Sequence, residues 1–285
     1  MTPSASSRLA PARPSPALRV TARRAVILGD AHFDPTSDAD VERLARFVAR
    51  AALDADLLVV LGDLFDYWLG RKHLRLARLG PLREAFDAAR QRGCRCLLAT
   101  GNRDFLLDAP TAAALGAEHG GEWIELELSS GERWLLTHGD ALCLDDRGYM
   151  RLRRITHSRA VHWLSRALPL WALRAIAVRL RRASQRSQAR RREQGYGGRS
   201  FPIRPPAVEA VLADGGPRAG LVCGHVHLAR HWVGGAGGAF LVLPAFERDD
   251  GHLVLESGRA PSFAAAGAPL EIAPRPVAPG ALTYE

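Results

Sequence analysis

The chain has 285 residues, 47% hydrophobic and 24% charged, enough for one large domain or two small ones around a substantial core. That balance excludes a collagen-like, wholly disordered or disulfide-stapled protein, and no uncharged apolar stretch approaches the ~20 residues of a spanning helix. The formal net charge is +9, from 39 basic and 30 acidic residues, and Lys72 is the single lysine among the bases.

Residues 1–22 are rich in Ala, Pro, Ser and Arg and precede the first acid, Asp30. The composition is that of a transit peptide, but the prolines break any amphipathic helix, so a disordered extension is expected. Five apolar runs come next, at Arg24–Leu28, Asp56–Leu61, Cys94–Ala99, Arg133–Thr137 and Ala219–Cys223. They alternate with helical periods, the pattern of an α/β domain. One such period carries Val41, Leu44, Val48 and Ala51 on a single stripe, with Ser37 as its N-cap. Phe240–Leu243 and His252–Leu255 flank Asp250-Gly251 and predict a late hairpin. Residues 259–285 are again Pro/Ala-rich and read as a flexible tail. Four irregularly spaced cysteines fit a reducing compartment, and Cys94 and Cys96 share one strand face without the further ligands a zinc site needs.

The chemistry lies in the turn after each run. The five turns are Gly29-Asp30-Ala31-His32, Gly62-Asp63-Leu64-Phe65-Asp66, Gly101-Asn102-Arg103-Asp104, His138-Gly139-Asp140 and Gly224-His225-Val226-His227. Any one of them alone is an ordinary turn. Five in order at strand ends predict convergence, because ligands gather at the carboxyl ends of strands in α/β sheets. Asp30, His32, Asp63, Asn102, His138, His225 and His227 supply enough mixed N/O donors for two divalent ions, with Mn²⁺, Fe²⁺ or Zn²⁺ favoured over Mg²⁺. Two ions ~3.5–4 Å apart clamp a phosphoryl group and generate a hydroxide nucleophile.

The motif order D-x-H, GD, GN-x-D, H-GD, GH-x-H resembles the calcineurin-like metallophosphoesterases. The resemblance implies a two-sheet β-sandwich flanked by helices. It gives one ion to Asp30, His32, Asp63 and His227 and the other to Asp63, Asn102, His138 and His225, with Asp63 bridging. The strings Gly62–Trp68, Gly101–Leu107 and His138–Asp146 are similar, more narrowly, to the UDP-2,3-diacylglucosamine pyrophosphohydrolases of lipid A synthesis, over about Arg24–Gly258. A metallophosphoesterase domain over 23–258 is therefore expected. Arg71-Lys72-His73, Leu228 and Leu243-Pro-Ala-Phe246 depart from that family's pattern, which has acids, a proline and Gly-Asp-Trp there.

Between Arg147 and Ser200 stand fifteen arginines and one acid, so this window is +14 and the remainder of the chain is −5. Leu173, Ile176, Ala177 and Leu180 lie on one helical face with Arg174, Arg181 and Arg182 off it, and Pro169 divides the run into two helices. Trp163 and Trp171 suit a lipid–water boundary. An arginine face alone fits nucleic acid as well, but the apolar stripe favours acyl chains, so no nucleic acid is expected. The resemblance makes 147–200 a helical-hairpin insertion covering the active site. It implies substrate contacts at Asn102, Arg103, Asp146, Arg181, Ser184, Gln188, Arg191 and His225, with Asp63, Asn102, Arg103 and His138 catalytic.

The expected activity is hydrolysis of UDP-2,3-diacylglucosamine to UMP and 2,3-diacylglucosamine 1-phosphate, with two Mn²⁺ ions and attack at the α-phosphorus. The expected location is the cytoplasm, peripheral to the anionic inner face of the bacterial inner membrane. The alternatives are a sibling phosphodiesterase acting on another nucleotide or on nucleic acid, and a scaffold that kept the fold without the chemistry. Asp66, Asp104, Asp140 and Asp146 are secondary candidates, as orienters of ligating imidazoles, as a sugar contact for Asp146, or as turn caps.

Overall fold

The computed structural model describes residues 18–179, 203, 205–213, 218–233, 238–265 and 267–276. The predicted runs become β2 (Arg24–Leu28), β3 (Leu57–Leu61), β4 (Arg95–Ala99), β7 (Arg133–Thr137) and β8 (Gly220–Cys223), each within a residue of its expected bounds. β2, β3 and β4 are neighbours in parallel, with β5 (Glu118–Gly121) at the edge. The antiparallel strand β11 (His252–Glu256) lies on the other side of β2. In the second sheet, β7 and β8 are parallel neighbours, and β6 (Trp123–Leu128) runs antiparallel to β7.

Why β3 is Leu-Leu-Val-Val-Leu, buried throughout, is explained by its position. Val59 and Leu61 face the second sheet, packing with Ile124, Leu136, Val222 and Leu241. Leu58 and Val60 face the helical layer of α1 (Asp38–Ala51) and α2 (Gly80–Gln91), with Leu44, Val48, Leu82 and Phe86. A strand covered on both faces reads as a continuous apolar run. Full burial of each such side chain contributes about 1.5–3 kcal/mol. Ser37 caps α1 by accepting from the Asp40 N–H, as its position predicts. Beyond the second sheet, α7 (Pro205–Ala213) covers Leu135 and Leu221 with Val208 and Val211. The result is a helix–sheet–sheet–helix sandwich. The carboxyl ends of β2, β3, β4, β7 and β8 lie at one end of it.

Three expectations are corrected. The extension was expected to run to Ala22, but Leu18–Ala22 forms β1, paired in parallel with β6; residues 1–17 lie outside the described ones. Phe240–Leu243 and His252–Leu255 do not form a hairpin. β10 (Ala239–Val242) belongs to the second sheet and β11 to the first, and a short helix, α8 (Phe246–Asp249), intervenes. Asp250, with φ of 52°, ends that helix in the left-handed conformation instead of making a two-residue turn. Past Gly258, β12 (Ser262–Ala265) pairs with β11 and β13 (Ala268–Leu270) pairs with β12, where a loose tail was expected.

The insertion begins with α4 (Arg147–Thr156) and α5 (Arg159–Ala167), and Pro169 separates these from α6 at 170–179. Residues 180–202 are outside the described ones, so Leu180 and the expected contacts Arg181, Ser184, Gln188 and Arg191 receive no structural account.

Candidate metal centre

Five of the seven predicted donors occupy a left-handed conformation that few non-glycine residues adopt. Asp30, His32, Asp63, His225 and His227 have φ of 54°, 49°, 50°, 67° and 58°. Left-handed backbone in a non-glycine residue costs roughly 1–2 kcal/mol, and such strain persists where the surroundings enforce it. Here neighbouring turns lock each other. The Asp30 N–H donates to the Gly62 carbonyl at 3.2 Å and the His32 N–H to the Asp63 carbonyl at 3.0 Å, while the His225 N–H donates to Asp30 Oδ2 at 2.8 Å. Glycine is required at Gly62, where φ is 81° and a Cβ would lie 2.7 Å from His138 Nδ1 and 2.8 Å from the Gly101 Cα.

The side chains converge. Donor atoms of Asp30, His32 and His227 lie within 4.8 Å of one another, as do those of Asp30, Asp63 and His138. His32 Nε2 and His227 Nε2 are 3.2 Å apart, and His227 Nε2 is 3.4 Å from Asp30 Oδ1. The two oxygens of Asp63 point opposite ways, Oδ1 toward His138 Nε2 at 3.6 Å and Oδ2 toward His32 Nδ1 at 3.8 Å. Both compact groups contain Asp30, yet the two-sided presentation of Asp63 is the geometry a bridging carboxylate needs. Asn102 Oδ1 is 3.0 Å from His138 Nε2, and the His225 ring lies 5.1 Å from the His138 ring. All seven predicted donors therefore come together.

A cation fits this cluster. Asp30 Oδ1 and His32 Nδ1 are buried polar atoms with no hydrogen-bond partner, and a ligated ion would satisfy both. The electrostatics agree. Burial opposes ionisation of Asp30, but His227 and His138 outweigh it and hold the carboxyl well below its usual range. Burial also opposes a charge on His138, yet Asp63, Asp30 and Asp140 lift its pKa to about 9. On His227 burial is outweighed by Asp30 and Glu247, which lift it to about 10. Burial dominates at His225, beside His138, lowering it to about 3, and at His32, lowering it to about 4. Two carboxylates thus draw positive charge to their side, a role that protons on imidazole and divalent metal both fill.

Of the readings open for the secondary acids, the capping of turns and helix ends describes Asp104 and Asp146. Asp104 is fully buried and accepts from the N–H groups of Gly101 (2.7 Å), Leu64 (2.8 Å) and Asp63 (3.3 Å), tying two site turns together. Asp66 holds the guanidinium of Arg103 at 2.5 Å. Asp146 caps α4 by accepting from the Tyr149 N–H. Asp140, also buried, accepts from Tyr149 Oη at 2.5 Å and Arg153 Nε at 2.8 Å.

A carboxylate that sits beside a ligating imidazole, Glu247, escaped sequence reasoning. Its Oε1 lies 3.5 Å from His227 Nδ1, the ring nitrogen away from the pocket. A short helix presents it, held by Arg43, which donates to the carbonyls of Phe246, Glu247 and Arg248. Nothing in the spacing of Leu243–Asp250 announces that role.

A strand-end pocket of five interlocked turns, two carboxylates and four imidazoles defines a dimetal phosphoesterase centre. A family model described as calcineurin-like phosphoesterase matches residues 23–229, and the chain belongs to that family. Its relatives are more particular. The chain is 37% identical over 202 residues to a protein of Aeromonas salmonicida named UDP-2,3-diacylglucosamine hydrolase, covering 71% of this chain and 76% of the relative. It is 36% identical over 215 residues to one of Ralstonia nicotianae with the same name, covering 73% and 79%. Among solved structures, a dimetal phosphatase from Danio rerio covers 85% of this chain and 95% of its own at 12% identity and a TM-score of 0.40, too distant to bear on the site.

Proposed function

We propose that the protein hydrolyses UDP-2,3-diacylglucosamine to UMP and 2,3-diacylglucosamine 1-phosphate, by attack at the α-phosphorus. The observation that carries this reading is the position of the insertion: α4 is held through Arg153 on Asp140, two residues after His138, and the end of α5 through Lys72 on the loop that follows Asp63. Relatives 36–37% identical over 71–73% of the chain bear the name of that activity. Asp30, His32, Asp63 and His227 would hold one divalent ion and Asp63, Asn102, His138 and His225 the other, with Mn²⁺ suited to the mixed N/O set. Bound there, the pair supplies Lewis acidity and an activated water.

The chain's own groups do the rest. His138 directs Nδ1 to the Leu61 carbonyl at 3.1 Å, which turns Nε2 into the pocket. Glu247 orients His227 in the same way. Arg103, held by Asp66 and standing 3.7 Å from Asp63 Oδ2, presents a planar fork to a diphosphate. Asp146 stands at the root of the insertion, suited to a sugar hydroxyl, and Arg181, Ser184, Gln188 and Arg191 further along it are read as substrate contacts.

The outer face of the insertion supports the location. Trp163 and Trp171 are 69% and 74% exposed, and Ile155 and Val178 are also exposed, interleaved with exposed Arg151, Arg154, Arg159, Arg174 and Arg179. Isolated in water such apolar area is unfavourable; against an anionic bilayer both the rings and the guanidinium groups gain. No helix among the described residues is long and apolar enough to cross a membrane. The proposed site of action is therefore the cytoplasmic surface of the inner membrane.

Turnover of UDP-2,3-diacylglucosamine with Mn²⁺ in ¹⁸O-water tests the reading. The label should enter UMP, and the protein should float with anionic but not zwitterionic vesicles. Label in the sugar phosphate, or no cleavage, refutes the chemistry; equal flotation with both vesicles refutes the surface.

A further inference from the structure

The lone lysine has an unusual environment. Lys72 lies in a one-turn helix, Arg71–Arg75, on the loop that leaves β3 through Asp63 and Asp66. Its Nζ donates to the Arg166 carbonyl at 2.7 Å and to the Leu168 carbonyl at 2.5 Å. Those carbonyls form the end of α5 and the corner into Pro169 and α6, where the helix leaves orphan acceptors and a partial negative charge. Beside it, Arg71 Nε donates to Asp108 Oδ2 at 2.8 Å, and Arg166 reaches the same oxygen at 3.5 Å. Gly70 brings the backbone close enough for a Cβ there to stand 3.6 Å from Ser165 Oγ, on the one buried position of α5. Two loops of the metal centre thus grip the insertion at its corner.

Two carbonyl oxygens converge on the one nitrogen, and a compact ammonium with freely rotating protons donates to both. Lys72 is the single lysine in a chain whose other 38 basic residues are arginine.

We propose that Lys72 is a positioning residue that clamps the α5–α6 corner, setting the height of the insertion above the metal centre and so selecting for the acylated part of the substrate. The proposal rests on the substrate reading above. It assigns a role to the Arg71-Lys72-His73 string, which departs from the pattern of the resembling family.

The test is steady-state kinetics of K72M and K72R, loaded with Mn²⁺, on UDP-2,3-diacylglucosamine and on bis-p-nitrophenyl phosphate. K72M should raise KM for the acylated nucleotide about ten-fold and leave turnover of the small diester within about two-fold, and K72R, which keeps a cationic donor for the two carbonyls, should recover at least part of the lost affinity. Equal losses on both substrates, unchanged kinetics, or a K72R no better than K72M overturns the proposal. Tryptic cleavage within 147–200, followed by mass spectrometry, separates the clamp from the substrate. If the wild type cleaves only the small diester, the substrate reading fails, while faster cleavage in K72M still supports the clamp and an unchanged rate overturns it.

Discussion

Removing Arg153 should loosen the opposite attachment of the insertion, and the size of the effect can be worked from its contacts. The side chain is largely buried and forks, with Nε on Asp140 at 2.8 Å and Nη2 on Glu122 at 2.7 Å. Asp140 lies under the site, where burial raises its carboxyl but Arg153, His138 and His225 outweigh this and hold it well below the usual range. In R153M the apolar stem is matched and the charge is lost. A hydrogen bond to a buried charge contributes about 1.5–3 kcal/mol. The Glu122 bond is more exposed and adds about 0.5 kcal/mol. The expected loss is about 2–3.5 kcal/mol, toward the low end for orphaning a buried charge, because Tyr149 still donates to Asp140. At about 2–4 °C per kcal/mol for a domain of this size, Tm falls by about 4–14 °C.

Thermal unfolding of the metal-free protein at pH 7 measures this, with D140N and the double variant closing a cycle. The two changes should be non-additive by at least about 1 kcal/mol. The sign with pH is also fixed. A carboxyl with a lowered folded pKa stabilises above its ordinary value of ~3.9, and that contribution disappears as acid protonates it. The gap between wild type and R153M should therefore hold from pH 7 to about 4 and shrink only below it, as the buried carboxyl is protonated. A Tm within about 2 °C of wild type, or additive variants, would show that Arg153 does not hold α4 as its contacts indicate.

Two further outcomes are expected. His73 is buried against Tyr67 and Trp68, and burial lowers its pKa to about 4. The unfolded chain therefore gains a proton between pH 6.5 and 4 that the fold refuses, costing about 3 kcal/mol by pH 4. Chemical denaturation should show that loss flattened in H73Q, and an unchanged slope counts against it. Gly62→Ala combines positive φ with the predicted clash on His138; isothermal titration with Mn²⁺ should show at least about a ten-fold weaker affinity, and wild-type binding would refute the cradle.

How much of this was legible in the sequence depended on the range of the interaction. β2, β3, β4, β7 and β8 announce themselves because strands covered on both faces need unbroken apolar runs. The seven donors are legible with them, because each sits in the turn immediately after such a run. The false hairpin shows where local reading ends. Asp-Gly is a turn signal and also the end of a helix, and only the distant pairing of β11 with β2 decides between them. β12 and β13 were missed because Ala-rich, Pro-flanked segments lack alternation and gain their order from β11. Lys72, Arg153 and Glu247 act on residues far along the chain, so no periodicity encodes them.

The two attachments of the insertion differ in chemistry for a physical reason. At its root, Arg153 spans two carboxylates on different segments, Asp140 after β7 and Glu122 before β6, so separate nitrogens on one rigid plane are needed. At its corner, Lys72 meets two carbonyls of one helix end, which a single nitrogen with several protons serves. Arg153 and Lys72 thus tie the first half of the insertion to the segments that follow His138 and Asp63. A change at either anchor should therefore alter how the insertion is held before it alters the chemistry at the seven donors.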